Sequence, residues 1–258
     1  MSKAIIIASF GTTDLEALKN LDKIEDEVRV RINKKYPVIR VFTSKTIINS
    51  LKVKHNISVL KLDEALFKLS SEGFEEVIIQ PLHIMECLEY EEIKKVIYSY
   101  DYTFKSIKIG KTLLGYYGSE LENACDRLIC AMDEELPKDK NIVLVGHGSK
   151  TITTEAYYIL ESKFRDKGYS NLLIGTLEGD RTRDFIVDKL KNENIDEVLI
   201  LPLLVIAGNH AKLDIAGDEK SWKSKFLEEG IKVDINLKAL LEYKKVRNLY
   251  INQIERVL

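Results

Sequence analysis

Near its middle the chain reads Ile142-Val143-Leu144-Val145-Gly146-His147-Gly148-Ser149. The four apolar residues at its start predict a strand that is buried on both faces of a parallel sheet. Ligands of such sheets bind where the strands end. His147 stands at this end between two glycines, where the backbone can turn sharply and a ligand can approach closely. The alternative interpretation of His147 is an ordinary hydrogen-bonded turn residue.

Strand and helix patterns alternate on both sides of this segment. Strands are predicted at 3–8, 38–43, 75–80, 106–113, 141–145, 171–176, 196–201 and 231–236. Helices are predicted at 15–35, 63–71, 89–99, 119–135, 153–167, 180–193, 219–229 and 242–257. This order is typical of an α/β protein whose parallel sheets are flanked by helices.

The two halves of the chain resemble each other. The stretch from Lys3 to Thr12 matches 140–149, and the stretch from Glu75 to Leu82 matches 196–203. We therefore expect two similar α/β lobes, residues 1–137 and 138–258, with a cleft between them as the ligand site. The histidines of interest, His147 and His210, both lie in the second lobe. The first lobe does not repeat this arrangement, since the counterpart of His147 there is Phe10.

Composition excludes several classes of protein. The 258 residues are 45% hydrophobic and 31% charged, with a formal net charge of −2, so the basic excess of a nucleic-acid binder is missing. The apolar runs are strand-sized, which predicts no membrane span. The run after Met1 is too short for a signal peptide, and three cysteines form no disulfide or zinc pattern. We expect a cytoplasmic protein.

Three metal-ligand residues follow three predicted strands of the second lobe. They are His147, Glu178 and His210. Because neighbouring parallel strands end at one edge, these side chains are expected to lie close together. Two imidazoles and a carboxylate suit cobalt, nickel, iron or zinc and leave coordination positions open. No local metal motif such as HExxH accompanies them.

The first lobe contributes weaker candidates. His83 closes a predicted strand and is interpreted either as a satisfied core histidine or as a site residue. Glu89 begins a helix, where it either complements the helix dipole or acts in the site. The loop Ser9-Phe10-Gly11-Thr12-Thr13 offers backbone N–H groups to an anion, but it is neither a P-loop nor GxGxxG. We expect Cys87 to be a bystander thiol, with contact to a bound metal as the alternative. We expect His55 to be a solvated surface residue in a polar loop.

A family resemblance extends over nearly the whole chain. It rests on Ser9-Phe10-Gly11-Thr12, Phe42-Thr43-Ser44, Leu82-His83-Ile84 with Glu89-Tyr90-Glu91, Gly146-His147-Gly148, Ala207-Gly208-Asn209-His210-Ala211 with Asp214 and Asp218, and Ser221-Trp222-Lys223. In these motifs the chain resembles the anaerobic, CbiK-type sirohydrochlorin cobaltochelatases, which are class II chelatases of cobalamin biosynthesis. The segment Met85-Glu86-Cys87-Leu88 departs from the family pattern.

The resemblance implies ATP-independent insertion of Co²⁺ into sirohydrochlorin or its reduced precursor, precorrin-2. It implies that His147, His210 and Glu178 hold the metal and that Glu89 takes part in catalysis. It further implies tetrapyrrole contacts from Ser9, Phe10, Gly11, Thr12, Ser44, His83, Gly148 and Ser149. Co²⁺ is then a substrate, and no tightly bound cofactor is expected.

Several alternatives stay open. The metal inserted can be Fe²⁺ or Ni²⁺ instead, or the protein can be a non-catalytic tetrapyrrole or metal carrier. Apolar positions of the last helix suit either the core or a homo-oligomer interface. Cationic candidates for the carboxylates of the substrate are Lys45, Lys150, Arg181, Arg183 and Lys212.

Overall fold

We describe the protein from a computed structural model. The structure describes residues 2–115, 118–149 and 155–258, with residue 210 described by its backbone alone. The chain forms two compact units, one of residues 1–115 with 247–258 and the other of residues 116–246.

The first unit is built on a four-stranded parallel sheet. Its strands are β1 (Lys3–Ser9), β2 (Val38–Phe42), β3 (Glu76–Pro81) and β4 (Ser106–Ile109), in the order β2-β1-β3-β4. Residues 4–8 of the central strand β1 are almost completely buried. This explains why β1 is apolar at consecutive positions instead of alternating with polar residues.

Helices follow the strands of the first unit. They are α1 (Leu15–Arg31), α2 (Lys45–His55), α3 (Leu62–Ser71) and α4 (Leu88–Tyr98). Helix α1 begins after Asp14, whose carboxylate accepts the N–H groups of Glu16 and Ala17 at 3.0 Å. Such caps fix where the chain leaves the carboxyl edge of the sheet.

The second unit repeats the same sheet order. Its strands are β5 (Ile142–Gly148), β6 (Leu172–Glu178), β7 (Glu197–Leu203) and β8 (Lys232–Ile235), parallel and in the order β6-β5-β7-β8. The remaining elements are α5 (Gly118–Met132), α6 (Glu155–Asp166), α7 (Arg183–Asn192), a π-helical turn (His210–Ile215), α8 (Trp222–Glu228), a 3-10 turn (Leu240–Glu242) and α9 (Lys244–Val257).

The structure confirms the predicted α/β class with two parallel sheets flanked by helices, and each predicted strand overlaps an observed one. Helix α2 was not predicted, and His55 is its last residue, so its assignment to a loop was wrong. The predicted helix 153–167 begins outside the described residues. No helix in the described parts of the chain is long and apolar enough to cross a membrane.

The compact units differ from the predicted lobes in the assignment of two helices. Helix α5 belongs to the second unit, and all but the first three residues of α9 belong to the first. The predicted boundary near residue 137 instead follows α5. Domains 1–137 and 138–258 remain a prediction from the internal repeat.

Candidate metal centre

The three strands that precede or carry the predicted ligands are neighbours in the second sheet. Strand β5 lies between β6 and β7, and Gly148 is directly beside Glu178 in the register of the β5–β6 ladder. The exposed side chain of His147 and the half-buried side chain of Glu178 thus leave adjacent strand ends. The sequence predicted that these strands are neighbours, and the strand order confirms this. That the two side chains meet at one metal ion stays a prediction.

The glycines that flank His147 make room for the protein's own atoms. A Cβ at Gly146 would lie 2.9 Å from the ring of Tyr157. Gly148 has a φ of +75°, and a Cβ there would overlap the backbone carbonyl oxygen of Glu178. The sequence had suggested space for a ligand, whereas the structure shows close packing by Tyr157 and by the neighbouring strand.

The imidazole of His147 also contacts the backbone. Its Nδ1 lies 3.2 Å from the carbonyl oxygen of Gly148. In the tautomer with the proton on Nδ1, this nitrogen donates to that oxygen and leaves the lone pair of Nε2 for a metal. The N–H of Gly148 in turn donates to the hydroxyl of Tyr157 at 3.3 Å.

His210 follows the third strand. Six residues connect Leu203, at the end of β7, to the π-helical turn that begins at His210. Its side chain lies outside the described part of the structure. Among the side chains that are described, no group of three or more His, Cys, Asp or Glu could hold a metal ion. The ligand set of His147, Glu178 and His210 therefore stays a prediction.

A buried ion pair supports the turn that follows Glu178. Arg181 is fully buried and pairs with Glu161 of α6. Its Nε donates to the carbonyl oxygen of Ile174 at 2.5 Å, and Glu161 accepts the N–H of Ile174 at 2.7 Å. The prediction that Arg181 binds substrate carboxylates was wrong, because this guanidinium has no exposed surface and is engaged within the fold.

The other cationic candidates differ in their surroundings. Arg183 donates to the carbonyl oxygen of Lys220, so part of its guanidinium is already used. Lys45 and Lys212 are exposed. Lys150 lies outside the described residues. Lys45 and Lys212 thus keep the accessibility that carboxylate binding requires.

The loop after β1 is packed against its own unit. Ser9 is buried, and its hydroxyl has no hydrogen-bond partner within the described structure. Phe10 is 44% exposed. Gly11 has a φ of +98°, and a Cβ there would lie 2.5 Å from the ring of Phe42. Thr12 accepts the N–H of Asp14 at 3.0 Å through its hydroxyl. Substrate contacts from these residues stay a prediction.

Two further predicted substrate residues lie at the ends of strands. Ser44 caps α2, since its hydroxyl accepts the N–H of Ile47 at 3.4 Å. Ser149 is half-buried and follows directly after β5. Capping explains Ser44 without a ligand.

His83 follows β3 and is buried without a hydrogen bond. It is 8% exposed, and neither ring nitrogen has a partner in the described structure. The interpretation as a satisfied core histidine was therefore right about burial and wrong about hydrogen bonding. Burial lowers the pKa of His83 to about 4, although the nearby charge of Glu89 opposes this shift. The folded chain then binds fewer protons than the unfolded chain between pH 6.5 and pH 4, so stability falls as the pH falls through this window.

A thiol contacts the predicted catalytic carboxylate of the first unit. Cys87 precedes α4, and its Sγ donates to Oε2 of Glu89 at 2.8 Å. Burial and this carboxylate raise the pKa of Cys87 to about 11, so the thiol stays protonated and can donate. The interpretation of Cys87 as a bystander stays untested, and the structure places its thiol against Glu89.

Comparison with known proteins decides the family. The model of the cobalt chelatase (CbiK) family matches residues 3–258. The chain belongs to the CbiK cobalt chelatase family. The resemblance inferred from the motifs is thereby confirmed, and it covers both units.

Curated relatives of this CbiK family member match it over nearly their whole length. A sirohydrochlorin cobaltochelatase of Salmonella typhimurium is 28% identical over all of this chain and 97% of its own. The sirohydrochlorin cobaltochelatase CbiKC of Nitratidesulfovibrio vulgaris is 29% identical over 98% of this chain and 89% of its own.

Solved structures share the fold of this CbiK family member. SirB from Bacillus subtilis with Fe³⁺ has a TM-score of 0.66 at 15% identity, covering 99% of this chain and 95% of SirB. CbiX, described as the terminal enzyme of siroheme biosynthesis in denitrifying bacteria, has a TM-score of 0.54 at 15% identity and covers 99% of both chains. At these identities the likeness establishes the fold alone.

Proposed function

We propose that this protein inserts Co²⁺ into sirohydrochlorin, or into precorrin-2, without ATP. The observation that carries the proposal is the adjacency of the strand ends that carry His147 and Glu178, in a chain of the CbiK family. Its curated relatives are named sirohydrochlorin cobaltochelatases. The reaction is the metal chelatase type of lyase chemistry.

Insertion exchanges two pyrrolic protons of the macrocycle for one divalent metal ion. The protein has to hold the metal, replace its water and accept the protons. Neutral imidazoles suit the first and last tasks, because an ordinary imidazole has a pKa of about 6.5. We assign His147 and His210 as metal ligands, and as proton acceptors through the same nitrogen once the metal has passed to the macrocycle. The carboxylate of Glu178 would complete the ligand set and reduce the net charge of the site.

We assign Glu89 as a further proton acceptor or as a group that orients the ring. Its contact with the thiol of Cys87 supports this role, because a hydrogen bond fixes the carboxylate in one orientation. The tetrapyrrole would contact the loop Ser9–Thr12 together with Ser44, His83, Gly148 and Ser149. Exposed Phe10 and the unpartnered hydroxyl of Ser9 support this assignment.

The central test is the absorbance change of sirohydrochlorin on cobalt insertion. The variants His147→Ala and His210→Ala are expected to lose most turnover, and Glu178→Ala is expected to bind Co²⁺ more weakly. His55→Ala is the matched control, because His55 is exposed at the end of α2. Near-normal turnover in both folded histidine variants would refute the ligand assignment.

Two alternatives are resolved with the same assay. Comparing Co²⁺, Fe²⁺ and Ni²⁺ side by side identifies the preferred metal. A carrier would bind the tetrapyrrole or the metal stoichiometrically without exceeding the spontaneous rate of insertion. Formation of more than one equivalent of metallated product per protein excludes the carrier.

A further inference from the structure

Helix α6 presents three side chains to strands β5 and β6 and to the turn after β6, which carry two of the proposed metal ligands. They are Tyr157, Tyr158 and Glu161, all within the first seven residues of the helix. Residues three and four positions apart lie on the same side of a helix, so these groups act on one neighbourhood. None of the three was among the predicted site residues.

Tyr157 holds the segment around His147 at two points. Its ring leaves no room for a Cβ at Gly146, which would lie 2.9 Å away. Its hydroxyl accepts the N–H of Gly148 at 3.3 Å. The two residues on either side of His147 are thus fixed by one buried tyrosine.

Glu161 holds strand β6 and the turn after it. Its carboxylate accepts the N–H of Ile174 and pairs with the guanidinium of Arg181. The guanidinium lies under the ring of Tyr158, 4.2 Å from the ring centroid. These contacts offset part of the cost of burying the charge, and Nη1 of Arg181 has no hydrogen-bond partner within the described structure.

Arg181 closes the turn that contains Glu178. Its Nε donates to the carbonyl oxygen of Ile174, and its own carbonyl oxygen accepts the N–H of Thr176 at 2.8 Å. Between these anchors the chain turns through Gly179, which has a φ of +102°. The position of Glu178 therefore depends on contacts made by residues before and after it in the chain.

We propose that Tyr157, and Glu161 acting through Arg181, are positioning residues that fix His147 and Glu178 in the geometry required for cobalt. This inference rests on the proposed function. The first half of α6 then sets the distance between two metal ligands on neighbouring strands. Small displacements of ligands weaken metal binding, because coordination tolerates little change in distance.

The variant Tyr157→Phe tests the first contact. It keeps the ring against Gly146 and removes the acceptor of the Gly148 N–H. We expect Co²⁺ alone, measured by equilibrium dialysis, to bind about fivefold more weakly, the equivalent of one lost neutral hydrogen bond. The KM for Co²⁺ should rise more than the KM for sirohydrochlorin. Tyr158→Phe is the matched control, because it keeps the ring over Arg181.

The variant Glu161→Gln tests the second contact, with Arg165→Met as its control. Arg165 pairs with the other oxygen of Glu161, 3.1 Å away, without contacting the turn after β6. We expect Co²⁺ binding to weaken at least fivefold in Glu161→Gln and to change less than twofold in the control. If Glu161→Gln does not fold, Tyr157→Phe decides.

The outcomes separate this inference from the function on which it rests. Unchanged Co²⁺ affinity in folded Tyr157→Phe or folded Glu161→Gln overturns the positioning roles, provided that His147→Ala weakens binding. Unchanged affinity in His147→Ala overturns the metal site itself. Weakened binding in all three variants, with both controls close to wild type, supports the inference.

Discussion

Replacing Gly148 by alanine tests whether the geometry of the strand end controls the metal site. Gly148 has a φ of +75°, in the left-handed region that favours glycine. An added Cβ would overlap the carbonyl oxygen of Glu178 and approach Cβ of Thr176 to 2.7 Å. Because the first of these contacts is with backbone, rotating a side chain does not relieve it.

The expected destabilisation has two parts. An L-residue held in the left-handed region costs about 1–2 kcal/mol. Displacing packed atoms adds about 1–3 kcal/mol. Gly168 is the matched control, because its φ is +93° and a Cβ there meets nothing within 4 Å. Gly168→Ala should therefore show only the first part, and Gly148→Ala both.

Urea denaturation of the two variants measures the difference in stability, and dialysis against Co²⁺ measures the consequence for the site. We expect Gly148→Ala to lose at least tenfold in Co²⁺ affinity, since relief of the overlap displaces the backbone of Glu178. Gly168→Ala should bind Co²⁺ like the wild type. Equal stability of the two variants, or normal Co²⁺ binding by Gly148→Ala, would refute the reasoning.

Three further predictions follow from other contacts. His83→Phe should flatten the pH dependence of the free energy of unfolding between pH 6.5 and pH 4, where the buried imidazole accounts for about 3 kcal/mol in the wild type. Urea titrations across this pH range measure the free energy of unfolding, and a pH dependence like that of the wild type would contradict the prediction. Trp222→Ala should destabilise the protein by about 3–5 kcal/mol, because the buried ring packs against Gly175 and its removal leaves a cavity. Thermal unfolding measures this destabilisation, and a value below about 1 kcal/mol would argue against the contact. Cys87→Ala should shift the pH profile of cobalt insertion, because it removes one hydrogen bond to the carboxylate of Glu89, whereas Cys130→Ala, at an exposed cysteine, should not. Identical pH profiles of the two variants would remove Cys87 from the site.

The sheets were predictable because their central strands are apolar without interruption. Burial on both faces leaves no polar position in Ile5–Ala8 or Ile142–Val145, so the runs are visible in the sequence. The internal repeat then indicated that both halves share one architecture. The observed orders β2-β1-β3-β4 and β6-β5-β7-β8 agree with that repeat.

Helix α2 was missed because it contributes little to the core. Leu51 is its one buried residue, so the apolar periodicity that predicts an amphipathic helix is weak. The signals present were the caps, Ser44 before the helix and Asn56 in the left-handed region after it. The π-helical turn at His210 has no comparable sequence signature.

The site was predictable to the level of strand ends and no further. Strand order alone places the ends of β5 and β6, which carry His147 and Glu178, side by side. The packing around them depends on pairs distant in sequence, such as Arg181 with Glu161, which only the fold brings together. A charged residue near a strand end is ordinarily exposed, and this is why Arg181 was expected to meet the substrate.

The end of α9 has a consequence for the order in which the protein is assembled during synthesis. Residues 247–258 belong to the first unit, where Arg247 pairs with Glu27 at 2.7 Å and Tyr250 donates to the carbonyl oxygen of His83 at 3.2 Å. The ribosome makes these residues after the whole of the second unit. The unit built on β1 to β4 is therefore completed after the unit built on β5 to β8, in contrast to the usual progression along the chain.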